Sequence, residues 1–217
     1  MFIHRHPYAP FIPENATKLI VGTLPPPRFS MGQLKPGDVN FCYGSIDGQL
    51  WPILDAIFQL NLKFEDTQEA ILQRKNFLKS RGIGICDIVE SAERSKIDAS
   101  DLGMQNITLR DVVGYLKQYP KVDTLLFTGG NSKNGPEYFF RKHLKTYGLK
   151  LRVISNEVPR IHEFSIGDRL ISTVSLTAPS GAANRAVGGM SLYKQIKRTN
   201  SKFTTQDFRI MQYREFF

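Results

Sequence analysis

The stretch Lys18-Leu19-Ile20-Val21-Gly22-Thr23-Leu24-Pro25-Pro26-Pro27 stops an apolar run at a glycine and then holds the chain extended with three prolines. It offers no acid, no base and no nucleophile stronger than Thr23. A second chemically suggestive stretch is Phe41-Cys42-Tyr43-Gly44-Ser45-Ile46-Asp47-Gly48-Gln49-Leu50-Trp51-Pro52-Ile53-Leu54, in which Asp47 is the one carboxylate. A carboxylate there can orient water or counter positive charge. It can equally cap the helix that the following apolar spacing predicts. Nothing resembles a dinucleotide fingerprint, since G-x-G-x-x-G is absent, or a P-loop, since no G-K-[ST] follows. His4, His6, His143 and His162 show no ligand spacing, and Cys42 and Cys86 lie far apart. No metal is therefore expected, and two cysteines are too few for an iron–sulfur cluster.

The elements that must position these residues are legible as short apolar runs alternating with helical ones. Runs at residues 18–21, 84–89, 124–128 and 150–154 read as buried strands. Residues 161–176 read as a hairpin around Gly167-Asp168 or as one strand with an extended lead-in. Helical spacing covers 48–60, with Leu50, Trp51, Ile53, Leu54, Ile57 and Phe58. It recurs at 67–79 with Asp66 as cap, 109–118 with Thr108 as cap and Asp111 completing a capping box, 136–147, 191–198 and 205–217. This alternation predicts one α/β domain over residues 1–217, with three α/β/α layers around a central, mainly parallel four-stranded sheet. Sites in such sheets sit at the carboxyl ends of the strands, here the loops after Val21, Val89, Thr128 and Leu176.

Composition narrows the partners. The chain of 217 residues carries a formal charge of +9, and its placement is uneven. Residues 1–132 hold 14 Lys+Arg against 14 Asp+Glu, whereas residues 133–217 hold 15 against 6. A one-sided basic field suits a polyanion such as nucleic acid, or is simply a solvated basic surface. No run approaches the ~20 apolar residues of a membrane span, so no membrane partner is expected. The opening MFIHRHPYAP lacks an apolar signal core, and the sparse cysteines suit a reduced compartment, so a cytoplasmic monomer is the expectation.

Taken in order, the motifs resemble the uracil-DNA glycosylase superfamily, nearest its mismatch-specific (thymine/uracil) and hypoxanthine branches. Gly22-Thr23-Leu24-Pro25 is similar to that family's G-x-x-P strand end, and the segment from Tyr43 through Leu50-Trp51 to its N-x-F-W helix start. Residues 82–89, with Glu93-Arg94 and Lys96-Ile97-Asp98 after them, resemble its second strand and sequel. Leu125-Leu126-Phe127-Thr128-Gly129-Gly130 resembles the third strand, and Ala178-Pro179-Ser180-Gly181-Ala182-Ala183-Asn184-Arg185 the second signature. The likeness spans roughly residues 10–200.

The resemblance implies hydrolysis of the N-glycosidic bond of a flipped deaminated base, uracil or hypoxanthine, in single- or double-stranded DNA, with no cofactor. It implies a base pocket of Gly22, Thr23, Leu24, Pro25, Tyr43, Gly48 and Asn131. Gly48 stands where the family has its asparagine, so Asp47 is the expected catalytic substitute. Tyr43 is expected to stack on or gate the base, or to pack on Trp51. Asn131 is expected to read a base edge or to cap a helix. Pro179, Ser180, Gly181, Ala182, Asn184 and Arg185 would bind the strand, with Ala182 in the wedge position and Lys194, Lys197, Arg198 and Lys202 adding phosphate attraction. The small Ala178 and Ala182, with Leu24 and Gly48, leave a non-catalytic nucleic-acid-binding module as an alternative, and an enzyme of free nucleosides or nucleotides as another.

Overall fold

The computed structural model describes residues 1–97 and 100–217, so Asp98 of the second motif lies outside the described residues. The chain opens with β1 (Phe2–Arg5) and β2 (Lys18–Gly22), followed by α1 (Pro27–Ser30), α2 (Leu50–Phe58) and α3 (Gln68–Arg81). Then come β3 (Ile83–Asp87), β4 (Val89–Arg94), a 3-10 turn at Asp101–Gly103, β5 (Gln105–Leu109), α4 (Val112–Gln118), β6 (Thr124–Phe127) and α5 (Pro136–Thr146). The last part contains β7 (Arg152–Ser155), β8 (Arg160–Ile166), β9 (Arg169–Ser175), α6 (Asn184–Gly189), α7 (Ser191–Thr199) and α8 (Thr205–Arg214).

The main sheet has six strands rather than four, in the order β3-β2-β6-β9-β8-β7. Its first four strands are mutually parallel. The hairpin around Gly167, which has φ +59, supplies both the fourth parallel strand β9 and its antiparallel neighbour β8. The run predicted at 150–154 becomes the far edge strand β7, paired only with β8. Alternation along each buried strand explains the layering. Leu19, Val21, Cys86, Leu125 and Phe127 point into one core with α4 and α5. Ile20, Ile85 and Leu126 point into the other, with α2, α3 and Tyr213 of α8. A strand with both faces covered reads as a continuous apolar run, which is what residues 19–21 and 125–127 are.

A separate antiparallel sheet, β1-β4-β5, was not expected from the sequence. Its strands are half-exposed and polar, and Leu109, assigned to a helix by spacing, ends β5 opposite Val89 instead. The caps also fall later than expected, by one residue for α3 and by three for α4. Thr67, not Asp66, caps α3 by accepting from Ala70 N–H, and Asp111 rather than Thr108 caps α4 by accepting from Gly114 N–H. In both cases the residue nearer the first helical turn holds the geometry that a capping oxygen needs.

Candidate active site

Because β3, β2, β6 and β9 run parallel, their carboxyl ends open on one side, and the loops leaving them enclose a cleft of about 470 Å³. Thr23, Leu24 and Pro25 line it after β2, Asp87 ends β3, Thr128 follows β6, and Pro179, Ser180, Gly181 and Ala182 follow β9. Tyr43, Asp47 and Gly48 close it from the segment before α2. That segment and the loop after β9 are joined through their backbones. Gly48 pairs with Ser180, and Gln49 N–H donates to the Pro179 carbonyl at 2.9 Å.

Gly22 shapes the floor. A side chain at this position would set its Cβ 1.9 Å from the Tyr43 hydroxyl and 2.7 Å from Asp87 Oδ1, so only glycine lets those two groups converge. Tyr43 is held at φ +57, a left-handed conformation that costs a residue with a side chain about 1–2 kcal/mol. The turn around it compensates through Val39 N–H to Gly44 O at 2.7 Å and Gly44 N–H to Phe41 O at 2.9 Å. The result places the Tyr43 hydroxyl 2.9 Å from Thr128 Oγ1. Burial, and then the charge of Asp87, push the Tyr43 hydroxyl well above its ordinary range, so it stays neutral. Trp51 belongs to the core: its ring meets Phe41 and Phe77, and its Nε1–H donates to Cys42 O at 2.8 Å.

Two carboxylates that the sequence reading had not assigned lie deeper than Asp47. Asp87 is 4% exposed, and its Oδ2 sits 2.8 Å from His6 Nε2. His6 Nδ1 accepts from Tyr8 N–H at 3.1 Å, which places the ring proton on Nε2 and makes His6 the donor to Asp87. Asp87 Oδ1 is buried with no hydrogen-bond partner among the described residues. Asp101 receives the Thr23 hydroxyl at 3.0 and 3.1 Å to its two oxygens. Burial raises the Asp101 carboxyl to about 6, against the opposing pull of the Thr23 hydrogen bond and Arg94. Thr23, without a reactive role of its own, thus positions an acid contributed from 78 residues away.

Asp47 reaches the same cleft but stands at its rim, its side chain 67% exposed and within 3.4 Å of Arg28 and 3.5 Å of Lys35. It does not cap α2, whose cap residue is Gln49 with no side-chain capping bond. Arg28 is itself clamped by buried Asp38 at 2.7 and 2.8 Å, and those bonds hold the Asp38 carboxyl down at about 2. Asn131 falls outside the cleft. It is exposed, lies in a different groove with Tyr138 and Arg141, and caps no helix, since Gly135 precedes α5 without a side-chain cap. Asn184 is exposed, but its Oδ1 is engaged by the scaffold, accepting from Arg209 at 2.9 Å and Thr205 at 3.1 Å. Arg185 is exposed, and so are Lys194, Arg198 and Lys202. Lys197 instead spends its ammonium on the carbonyls of Ser201 and Phe203.

The missed residues carried little local signal. Asp87 is an acid at the end of an apolar strand, which marks it in retrospect. His6 and Asp101 come from segments with no apolar period, and only the tertiary fold brings Asp101 to the cleft and His6 behind it, against Asp87.

No protein-family model matches the sequence, and no curated protein matches it. The fold is similar to a solution NMR structure of a protein proposed to be a uracil DNA glycosylase, from Methanosarcina acetivorans. The likeness covers 99% of this chain and 96% of that chain, with a TM-score of 0.57 at 18% identity, and is one of fold.

Proposed function

We propose that this protein is a DNA glycosylase that hydrolyses the N-glycosidic bond of a deaminated base extruded into the cleft, acting as a monomer without a cofactor. The observation that carries the reading is the pair of withdrawn carboxylates, Asp87 and Asp101, facing one cleft at the strand ends of a glycosylase-like fold. Glycosidic cleavage turns the sugar cationic at C1′, and a carboxylate in a dry site stabilises such charge far more than one in water.

In this reading Asp101 is the base. A carboxyl near 6 is mostly ionised at pH 7.5 yet basic enough to take a proton from water. The water oxygen bonds to C1′, the C1′–N bond breaks, its electron pair leaves with the base, and Asp101 receives the water proton. The base anion then takes up that proton, which returns Asp101 to its starting state and leaves an abasic site and the free base. Asp87 is the group for recognition. Its Oδ1, without a hydrogen-bond partner among the described residues, is an acceptor, so it favours a base edge with a ring N–H. Cytosine and adenine present a bare ring nitrogen there, whereas their deamination products, uracil and hypoxanthine, present N–H. Phe29, 5% exposed in the cleft wall, gives the base an apolar face to lie against. Asp47, tied to Arg28 and Lys35 at the rim, faces the strand more than the sugar.

The test is alkaline cleavage of oligonucleotides carrying uracil, hypoxanthine, xanthine or a G·T mismatch. Wild type is expected to make abasic product from uracil or hypoxanthine. Asp101→Asn is expected to lose about 10²–10⁴-fold in rate, and Asp47→Ala to stay within about threefold, the scale of a rim charge. Salt-sensitive DNA binding with no abasic product from any oligonucleotide would leave a binding module on this fold in place of the enzyme.

A further inference from the structure

Resting on the glycosylase reading, we infer that a groove beside α5 carries single-stranded nucleic acid running on from the base cleft, so that the protein favours damage near a single-stranded segment. The groove has a volume of about 440 Å³, a space for nucleotides of one strand and too small for a duplex. Its wall holds Arg141, Lys142 and Lys145 of α5 and Lys150 of the connection to β7, and no carboxylate among the described residues lines it. Leu144 and Leu149 give it an apolar floor, and the half-buried ring of Tyr138 lies within it.

The cations are placed for an outside partner. Lys142, Lys145 and Lys150 are exposed, and none of the three makes a hydrogen bond or an ion pair among the described residues. Arg141 and Lys145, four apart on one helix face, repel each other. The buried Glu137 that answers Arg141 at 2.8 Å is shared with Arg160, also at 2.8 Å. One carboxylate thus faces two guanidiniums, and positive charge is left over for a polyanion. The Lys142 ammonium lies 4.7 Å from the centre of the Tyr138 ring. A cation and an aromatic side chain are therefore presented together, the combination that holds the phosphates and bases of a single strand.

The groove also continues the cleft. Thr128 lines the base cleft, Gly129 and Gly130 line the hollow beside it with Arg160, and Asn131 lines the groove. The chain from Thr128 to Asn131 spans at most about 11 Å, so a strand leaving the cleft reaches the groove within a few nucleotides. Along α5 the lining from Tyr138 to Lys145 covers about 10 Å, roughly three nucleotides at the B-form spacing. This continuity favours nucleic acid as the occupant over an acidic protein segment.

The experiment compares a blunt duplex with the same duplex carrying a short single-stranded tail at one end or the other. Binding uses uracil-free duplexes, and excision uses their uracil-bearing counterparts. Wild type stands beside a triple variant, Lys142→Ala, Lys145→Ala and Lys150→Ala, whose exposed positions leave the fold intact. Wild type is expected to bind one of the tailed duplexes about tenfold tighter than the blunt one. In the triple variant that advantage should disappear, and the log–log salt slope on the tailed duplex should fall by about 2, from three single-strand phosphates at about 0.7 each. Binding to the blunt duplex and excision from it should stay within about threefold. An unchanged tail advantage, or an equal loss on blunt and tailed duplexes, would overturn the assignment. So would a poly-glutamate peptide that binds wild type more tightly than the isolated tail strand does and is released by the triple variant, which would make an acidic protein the occupant. If wild type makes no abasic product, the glycosylase reading fails, and the tail-dependent affinity of wild type and triple variant still decides the groove.

Discussion

Asp101 should weaken the fold at the pH where it would work, and the size of that effect follows from its surroundings. The carboxyl rises from an ordinary 3.8 to about 6 because burial opposes its ionisation more than Thr23 and Arg94 favour it. The native state therefore holds the proton more tightly than the unfolded chain does. Below about 4 both states are protonated and Asp101 costs nothing. Between about 4 and 6 the unfolded chain ionises first, so stability falls as pH rises, and above 6 the full penalty is present. At about 1.4 kcal/mol per pH unit, the interval corresponds to at most about 3 kcal/mol. Asp101→Asn keeps an acceptor for the Thr23 hydroxyl and removes the charge. For a chain of this size, at about 2–4 °C per kcal/mol, it should raise Tm by up to about 10 °C at pH 8 and by almost nothing at pH 4. Thermal melts of both proteins across that range isolate the effect, because other ionisations largely cancel in the difference. A variant that is destabilised at pH 8, or a Tm difference that does not change with pH, would refute the reasoning.

Gly22→Ala must displace either Tyr43 or Asp87, and is expected to cost about 1–3 kcal/mol in urea unfolding while suppressing excision. His6→Ala removes the donor from buried Asp87 Oδ2; a loss of about 1–3 kcal/mol is expected, with His6→Gln, which restores an N–H, recovering part of it in the same measurement. Replacing Arg185, Lys194, Arg198 and Lys202 together by Ala should flatten the dependence of duplex binding on salt. If all four meet phosphates, the log–log slope falls by about 3–4, whereas a free-nucleoside enzyme would show no change in kcat/KM with salt.

The parallel strands were readable where both faces are buried. β2 and β6 appear as unbroken apolar runs, and the Gly167 turn announced β8 and β9. β1, β4 and β5 were not, since a strand reading Val-Glu-Ser-Ala-Glu-Arg, with no apolar alternation, looks like any polar connection. The cleft followed the same division. Its walls from residues 22–25, 43–48 and 178–182 showed as motifs, because glycine, proline and aromatic residues there serve local turns. Its deepest charged groups did not. His6 and Asp87 lie 81 residues apart, and Thr23 and Asp101 lie 78 apart, so each pairing exists only once the sheet has formed. Asp47 attracted attention as the one acid in a motif, and it lies at the rim of the cleft, 3.4 Å from Arg28 and 3.5 Å from Lys35.

The join between the two rim loops has a consequence for how this chain can be altered. Gly48 meets Ser180, and Gln49 meets Pro179, through main-chain atoms alone. Such a clasp does not depend on the side chains at Gln49 and Ser180, so replacing them changes the chemistry presented at the rim without unfastening the cleft. The floor admits no such exchange, since at Gly22 a single methyl would collide with Tyr43.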